Sequence, residues 1–159
     1  MTNVTVDYKK YNAQVVLNEV NDMLAEMAAT GKRKFSIREN YDRLSIFDWW
    51  KSDLTRGNLT DMRTFLKTAI ELGYTGYVCF KVGATGCANG MWASVKETEN
   101  GYSPKGRSLY RSFTPAYTYW SFCDDNEVWY PSTKGDEFDS LKTKKDLIEA
   151  HTKHYAEQV

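Results

Sequence analysis

Arg107-Ser-Leu-Tyr-Arg-Ser-Phe-Thr114, a break at Pro115-Ala116, then Tyr117-Thr-Tyr-Trp-Ser-Phe-Cys123 is the stretch that decides the fold. Both runs are rich in aromatic and β-branched residues and alternate with a period near two, the signature of strands; the proline between them fits a turn. Working outward, Tyr77–Val82 and Met91–Glu97 precede this pair and Glu127–Tyr130 follows it, each reading as a strand. Turn residues fill the gaps: Asn89-Gly90, Asn100-Gly101, Pro104 with Gly106, and Asp125-Asn126. Consecutive strands then pair as an antiparallel meander of about five strands in the middle of the chain.

The flanks have a helical period. Val16, Val20, Met23, Leu24 and Met27 recur on one stripe, predicting a helix over 13–29 ended by Gly31. Phe35 and Ile37 alternate with polar neighbours, predicting a short strand over 34–38. Ser45-Ile-Phe-Asp48 has the form of a capping box, and Ile46, Trp49, Trp50 and Leu54 follow at helical spacing, predicting a helix over 46–56. Asn58 or Thr60 then caps a further helix over 59–72 carrying Met62, Phe65, Leu66 and Ala69 and closed by Gly73. A last helix is expected over 141–157, with Leu147, Ile148, His151 and Tyr155 on adjoining faces. With no repeat or linker, the reading is one α+β domain over residues 1–159, its helices packed on one face of the sheet.

The totals exclude several function classes. Lys plus Arg balances Asp plus Glu, 21 against 21, so the broad positive surface of a general nucleic-acid binder or a polybasic membrane protein is absent. No leader pattern or bilayer-length apolar run is present, and the expectation is a cytoplasmic protein. Cys79, Cys87 and Cys123 are odd in number and lack a CxxC pair, which fits reduced thiols rather than a disulfide framework or a zinc site. Aromatic residues make up 14% of the chain, more than a small core needs, so some are available to a binding or assembly surface.

Chemistry concentrates around Gly83-Ala-Thr-Gly-Cys-Ala-Asn-Gly90, where nothing larger than Asn stands between two bulky strands. Backbone N–H groups there are open to an anion, although no Gly-Lys-Ser/Thr follows and a long hairpin turn explains the same residues. Arg107 and Arg111, four apart on one strand, share a face and suit bidentate phosphate contacts; Phe80, Trp92, Tyr110 and Trp120 offer flat surfaces to a base. Solvated arginines over aromatic packing explain this pattern equally well. Cys87 is the one loop thiol, and a cysteine nucleophile needs a base; the only histidines are His151, read as half core-facing, and His154, read as exposed. No metal motif, GxSxG elbow or GxGxxG is present, so neither metal nor cofactor is expected. Asp124-Asp125 and the acidic run at 136–139 fit turn and capping roles.

The region Phe80…Gly-Cys-Ala-Asn-Gly-Met-Trp92…Arg107…Arg111 resembles small phage-encoded accessory proteins, nearest the Thoeris anti-defence sponges that sequester cyclic ADP-ribose-type signals. The resemblance implies a non-enzymatic homo-oligomer acting in a host cytoplasm and binding a small anionic nucleotide signal without turnover. Phe80 would stack on a base, Asn89 bond to ribose or base, and Arg107 and Arg111 hold the diphosphate, with Trp92 and Tyr110 completing the walls. Two other readings stand beside it: an inhibitor that covers a host enzyme through exposed aromatics such as Trp49 and Trp50, and a Cys87-dependent enzyme with His151 as base.

Overall fold

In the computed structural model, residues 12–36, 39, 47–49, 53–82, 90–95, 106–114, 117–131 and 141–158 are described. The elements run α1 (Ala13–Thr30), β1 (Lys34–Ser36), β2 (Phe47–Trp49), β3 (Asp53–Thr55), α2 (Arg56–Glu71), β4 (Val78–Val82), β5 (Gly90–Ser94), β6 (Ser108–Thr114), β7 (Tyr117–Cys123), β8 (Trp129–Tyr130) and α3 (Lys144–Ala156). The architecture is α+β, as the periodicity predicts: β4 to β8 pair consecutively and antiparallel, flanked by N-terminal helices and a C-terminal helix. β2 extends this meander to six strands by pairing parallel with β4 at its edge, while β1 and β3 form a separate two-stranded ladder. None of the helices is long and apolar enough to cross a membrane among the described residues.

The helix expected over 46–56 is not formed. Phe47–Trp49 is strand and pairs with Phe80–Val82, and Leu54 is a fully buried strand residue of β3. Aromatic residues favour a pleated surface, and a ladder already offered by β4 outweighs a helical spacing carried by four side chains. The working capping box lies further on: Asn58 N–H donates to Thr55 Oγ1 at 3.2 Å and Thr55 N–H donates to Asn58 Oδ1 at 3.0 Å. Two of the free donors at the helix start are thereby met, and α2 starts at Arg56 with Gly57 inside it. At the end of α1, Gly31 takes φ 69° and donates to Met27 O, the left-handed cap its position predicts.

One face of the sheet is buried under the helices. Register places Phe80, Met91, Arg111 and Trp120 in one row across β4 to β7, and Val78, Ala93, Leu109 and Phe122 in the next. Phe65 of α2 plugs into the first row, edge-on to Phe80 and stacked on Trp120 with ring centroids 6.0 Å apart in both cases. Val16, Val20 and Met23 of α1 join the same core with Leu59, Met62 and Leu66 of α2.

Gly76 precedes β4 and accepts a hydrogen bond from Ala13 N–H at 3.1 Å, tying the start of α1 to the sheet. A Cβ on Gly76 would collide with the Ser94 carbonyl oxygen, and backbone cannot step aside as a side chain can. Gly76→Ala is expected to cost about 2 kcal/mol or more. Gly57→Ala meets only Thr55 Oγ1 at 3.7 Å and should instead stabilise by about 0.5–1 kcal/mol. Urea denaturation of the two variants checks both signs.

Candidate functional site

Strand parity divides the residues expected to form one pocket. Phe80 and Arg111 belong to the helix-covered face, whereas Cys79, Trp92, Tyr110 and Ser121 form a row on the opposite face. A pocket walled by Phe80, Trp92 and Tyr110 together would have to pass through the sheet. Phe80 is fully buried, which leaves its ring no open surface for stacking. Asn89 and Cys87, with all of the loop before Gly90, lie outside the described residues, as does any pairing of Cys87 with His151.

On the opposite face, Trp92 lies 5.1 Å from Tyr77 and Tyr110 lies 6.1 Å from Tyr119, centroid to centroid. Tyr110 crosses β5 over Gly90, where a Cβ would sit 2.6 Å from Tyr110 Cζ. Glycine is required there by that close approach rather than by a turn. Burial, with a smaller effect of Tyr119, raises the Tyr110 phenol above its ordinary pKa.

The two arginines occupy separate seats. Four strand residues span ~13 Å, and the guanidiniums engage different rings: Arg107 lies 5.1 Å from the Tyr155 ring and 5.9 Å from Tyr74, Arg111 lies 4.7 Å from Trp120 and 5.2 Å from Phe113. They do not converge as a clamp. Arg111 has a buried Nε without a hydrogen-bond partner and no ion pair within 4 Å among the described residues. Burial lowers its pKa, opposed by the charge of Asp61 on α2; burial in turn raises the Asp61 carboxyl, opposed by Arg111. Arg111 stands one position from the row Lys81, Gly90 and Ser112, from which the 83–89 loop departs, whereas Arg107 is at the other end of β6.

Arg107 belongs to a cluster under α3. His151 is buried, as its half core-facing reading anticipates, and its Nε2 shares a hydrogen bond with Tyr74 Oη at 3.1 Å. Desolvation, then the charges of Arg107 and His154, lowers the His151 pKa to about 4. Tyr74 and Tyr155 are both raised, chiefly by burial, and the two phenols and Arg107 act on one another at close range. His154, read as exposed, is packed instead: its ring lies 4.3 Å from Tyr130 and its Nε2 is 3.4 Å from Asp124 Oδ2. Asp124, read as a solvated turn residue, is 3% exposed and its Oδ1 accepts the N–H groups of Asn126 and Val128 at 2.9 and 3.0 Å.

Sequence reasoning missed Tyr74, Asp124 and His154 as members of this cluster. The available signal was local: an Asp followed two and four residues later by N–H groups in a tight turn is an Asx-type arrangement that fixes a carboxylate. Cys123 is buried, and desolvation raises its thiol to about 11, which fits the small apolar role expected of it. Among the described residues no three His, Cys, Asp or Glu side chains come together as a metal site. Comparison with protein-family models, with curated proteins and with solved structures finds no match to this chain.

The His151 environment sets a pH dependence. Its folded pKa, about 4, lies below the ordinary value of 6.5, so the unfolded chain binds more protons between these values. The stability that neutral His151 contributes is complete above about pH 6.5 and declines as pH falls toward 4. Thermal melts from pH 7.5 to pH 4.5 should therefore show a smaller loss in His151→Gln than in the parent protein, the two curves converging as pH falls.

Proposed function

We propose that this protein binds a small phosphorylated nucleotide-type anion and holds it without turning it over, with Arg111 as the charged contact. The observation that carries this reading is Arg111 itself: a half-buried cation seated on Trp120, with an unsatisfied buried Nε and, among the described residues, no acidic partner in ion-pair contact. A guanidinium in partly dry surroundings, offset only by the more distant charge of Asp61, is costly unless something anionic completes it. A flat guanidinium offers phosphate a bidentate fork, and Arg111 stands one position from the row Lys81, Gly90 and Ser112. Arg107 is engaged with Tyr155 and Tyr74 and is assigned a structural part. The resemblance to anti-defence sponges supports cyclic ADP-ribose isomers as the first ligands to try, and a non-enzymatic homo-oligomer as the assembly.

A second reading, a protein-binding inhibitor, is favoured by Val128 and Trp129, 43% and 40% exposed at the tip leading into β8. The two separate experimentally. Arg111→Met keeps the apolar stem while removing the charge; it should melt at the parent temperature or a few degrees above. It should also lose the thermal stabilisation that cyclic ADP-ribose isomers or dinucleotides give the parent protein. A parent protein unmoved by every such ligand, with a host protein retained through Trp129, would replace the sequestering reading by the inhibitor.

A further inference from the structure

A cleft of about 500 Å³ opens where the end of α1 meets the start of α2. Its wall includes Met27, its rim carries Lys32, Arg33 and Arg56, and no acidic residue lines it among the described residues. That volume lies within the range of small-molecule sites. We propose that this cleft is a second binding site, for a multiply charged anion of the phosphate type, distinct from Arg111.

The ladder that builds the rim places like charges together. β1 and β3 pair antiparallel as far as Lys34 opposite Thr55, so Arg33 and Arg56, the next residue on each side, leave the same end of the ladder and both line the cleft. Like charges held close together repel. Neither arginine has an ion-pair partner among the described residues, while Lys32 lies 3.7 Å from the half-buried Glu26 and over the Phe35 ring. A shared anion removes that repulsion, and two guanidiniums present the forked donors that phosphate oxygens accept. The floor is bare where a ligand would approach: a Cβ on Gly31 would meet nothing within 4 Å, and one on Gly57 would meet only Thr55 Oγ1. The first turn of α2 carries no carboxylate, although a helix start favours one. The balanced overall charge, 21 cations against 21 anions, favours a small ligand here over a long nucleic acid.

The test uses inorganic tripolyphosphate at low ionic strength, followed by calorimetry and by the amide resonances of Gly31 and Gly57. Saturable binding with shifts at both glycines is expected in the full-length protein. An Arg33→Ser/Arg56→Ser double variant should bind at least about tenfold more weakly, two charge-assisted contacts having been removed. Gly57→Glu places a carboxylate in the cleft without a backbone clash and at a helix start that favours it; it should melt higher than the parent yet fail to bind. Arg111→Met should bind tripolyphosphate at this cleft as the parent does, separating the two sites. Absence of saturation up to about 10 mM, a free energy weaker than roughly −3 kcal/mol, would overturn the proposal. So would affinity unchanged within about twofold in the double variant, or glycine resonances that do not move on saturation.

Discussion

The insertion of Phe65 between Phe80 and Trp120 is the contact on which the rest of the structure depends. One ring from α2 meets β4 edge-on and β7 face-on, so a single side chain fixes the helix against strands at both ends of the antiparallel run. All three residues are essentially inaccessible to water. Buried aromatics of this size each remove on the order of 150–250 Å² from solvent and constrain geometry as well as area. Once α2 is anchored, α1 follows, because the apolar stripe from Val16 to Met27 has α2 as its neighbour. The ends of the two helices then determine where Lys32, Arg33 and Arg56 meet.

The same anchoring explains why Arg111 is under strain and Arg107 is not. Both arginines follow the odd-numbered parity of β6 and turn toward the helices. Arg107 emerges beside α3, where two tyrosine faces receive its guanidinium. Arg111 emerges in the row that Phe65 fills, on the same side as Trp120, and the carboxylate nearest in its electrostatic surroundings is Asp61, which burial itself disfavours as an anion. A charge held by packing in this way has lost water without gaining a partner. The sequence shows both as Arg on a strand; their difference comes from which helix lies above each.

That difference marks the boundary of what was legible. The alternation through Arg107–Thr114 and Tyr117–Cys123 located both strands and their pairing, and the stripes of α1 and α2 located the helices, because burial of one face imposes a period that side chains must follow. Phe47–Trp49 misled because three residues cannot display a period, and the parallel partner that makes them a strand lies some thirty positions away. The candidate site suffered more. Arg111 shares a face with Phe80, but Trp92 and Tyr110 pair with Cys79 and Ser121 on the other side, a distinction fixed by register rather than by composition. Asp124 looked like solvated turn chemistry because the imidazole that closes over its other oxygen comes from α3, some thirty positions away.

Three places among the described residues set a cation or an imidazole in unusual company. Arg33 and Arg56 meet at the rim of the cleft, Arg111 keeps an unsatisfied Nε, and His151 is buried beside Tyr74 and Arg107. Local choices that contradict the surrounding fold are where function is most often found, since a sequence selected only to fold would replace them with apolar or paired groups. The first two share a sign: each is a cation short of an anion. They also share α2, whose first turn borders the cleft and whose Asp61, one helical turn beyond Gly57, is the acid that Arg111 feels. His151 differs, because Tyr74 completes it and its neutral state is consistent with packing alone. The proposed ligand binding therefore belongs to the two cationic places beside α2, and the cluster beneath α3 is the clasp that holds the C-terminal helix to the sheet.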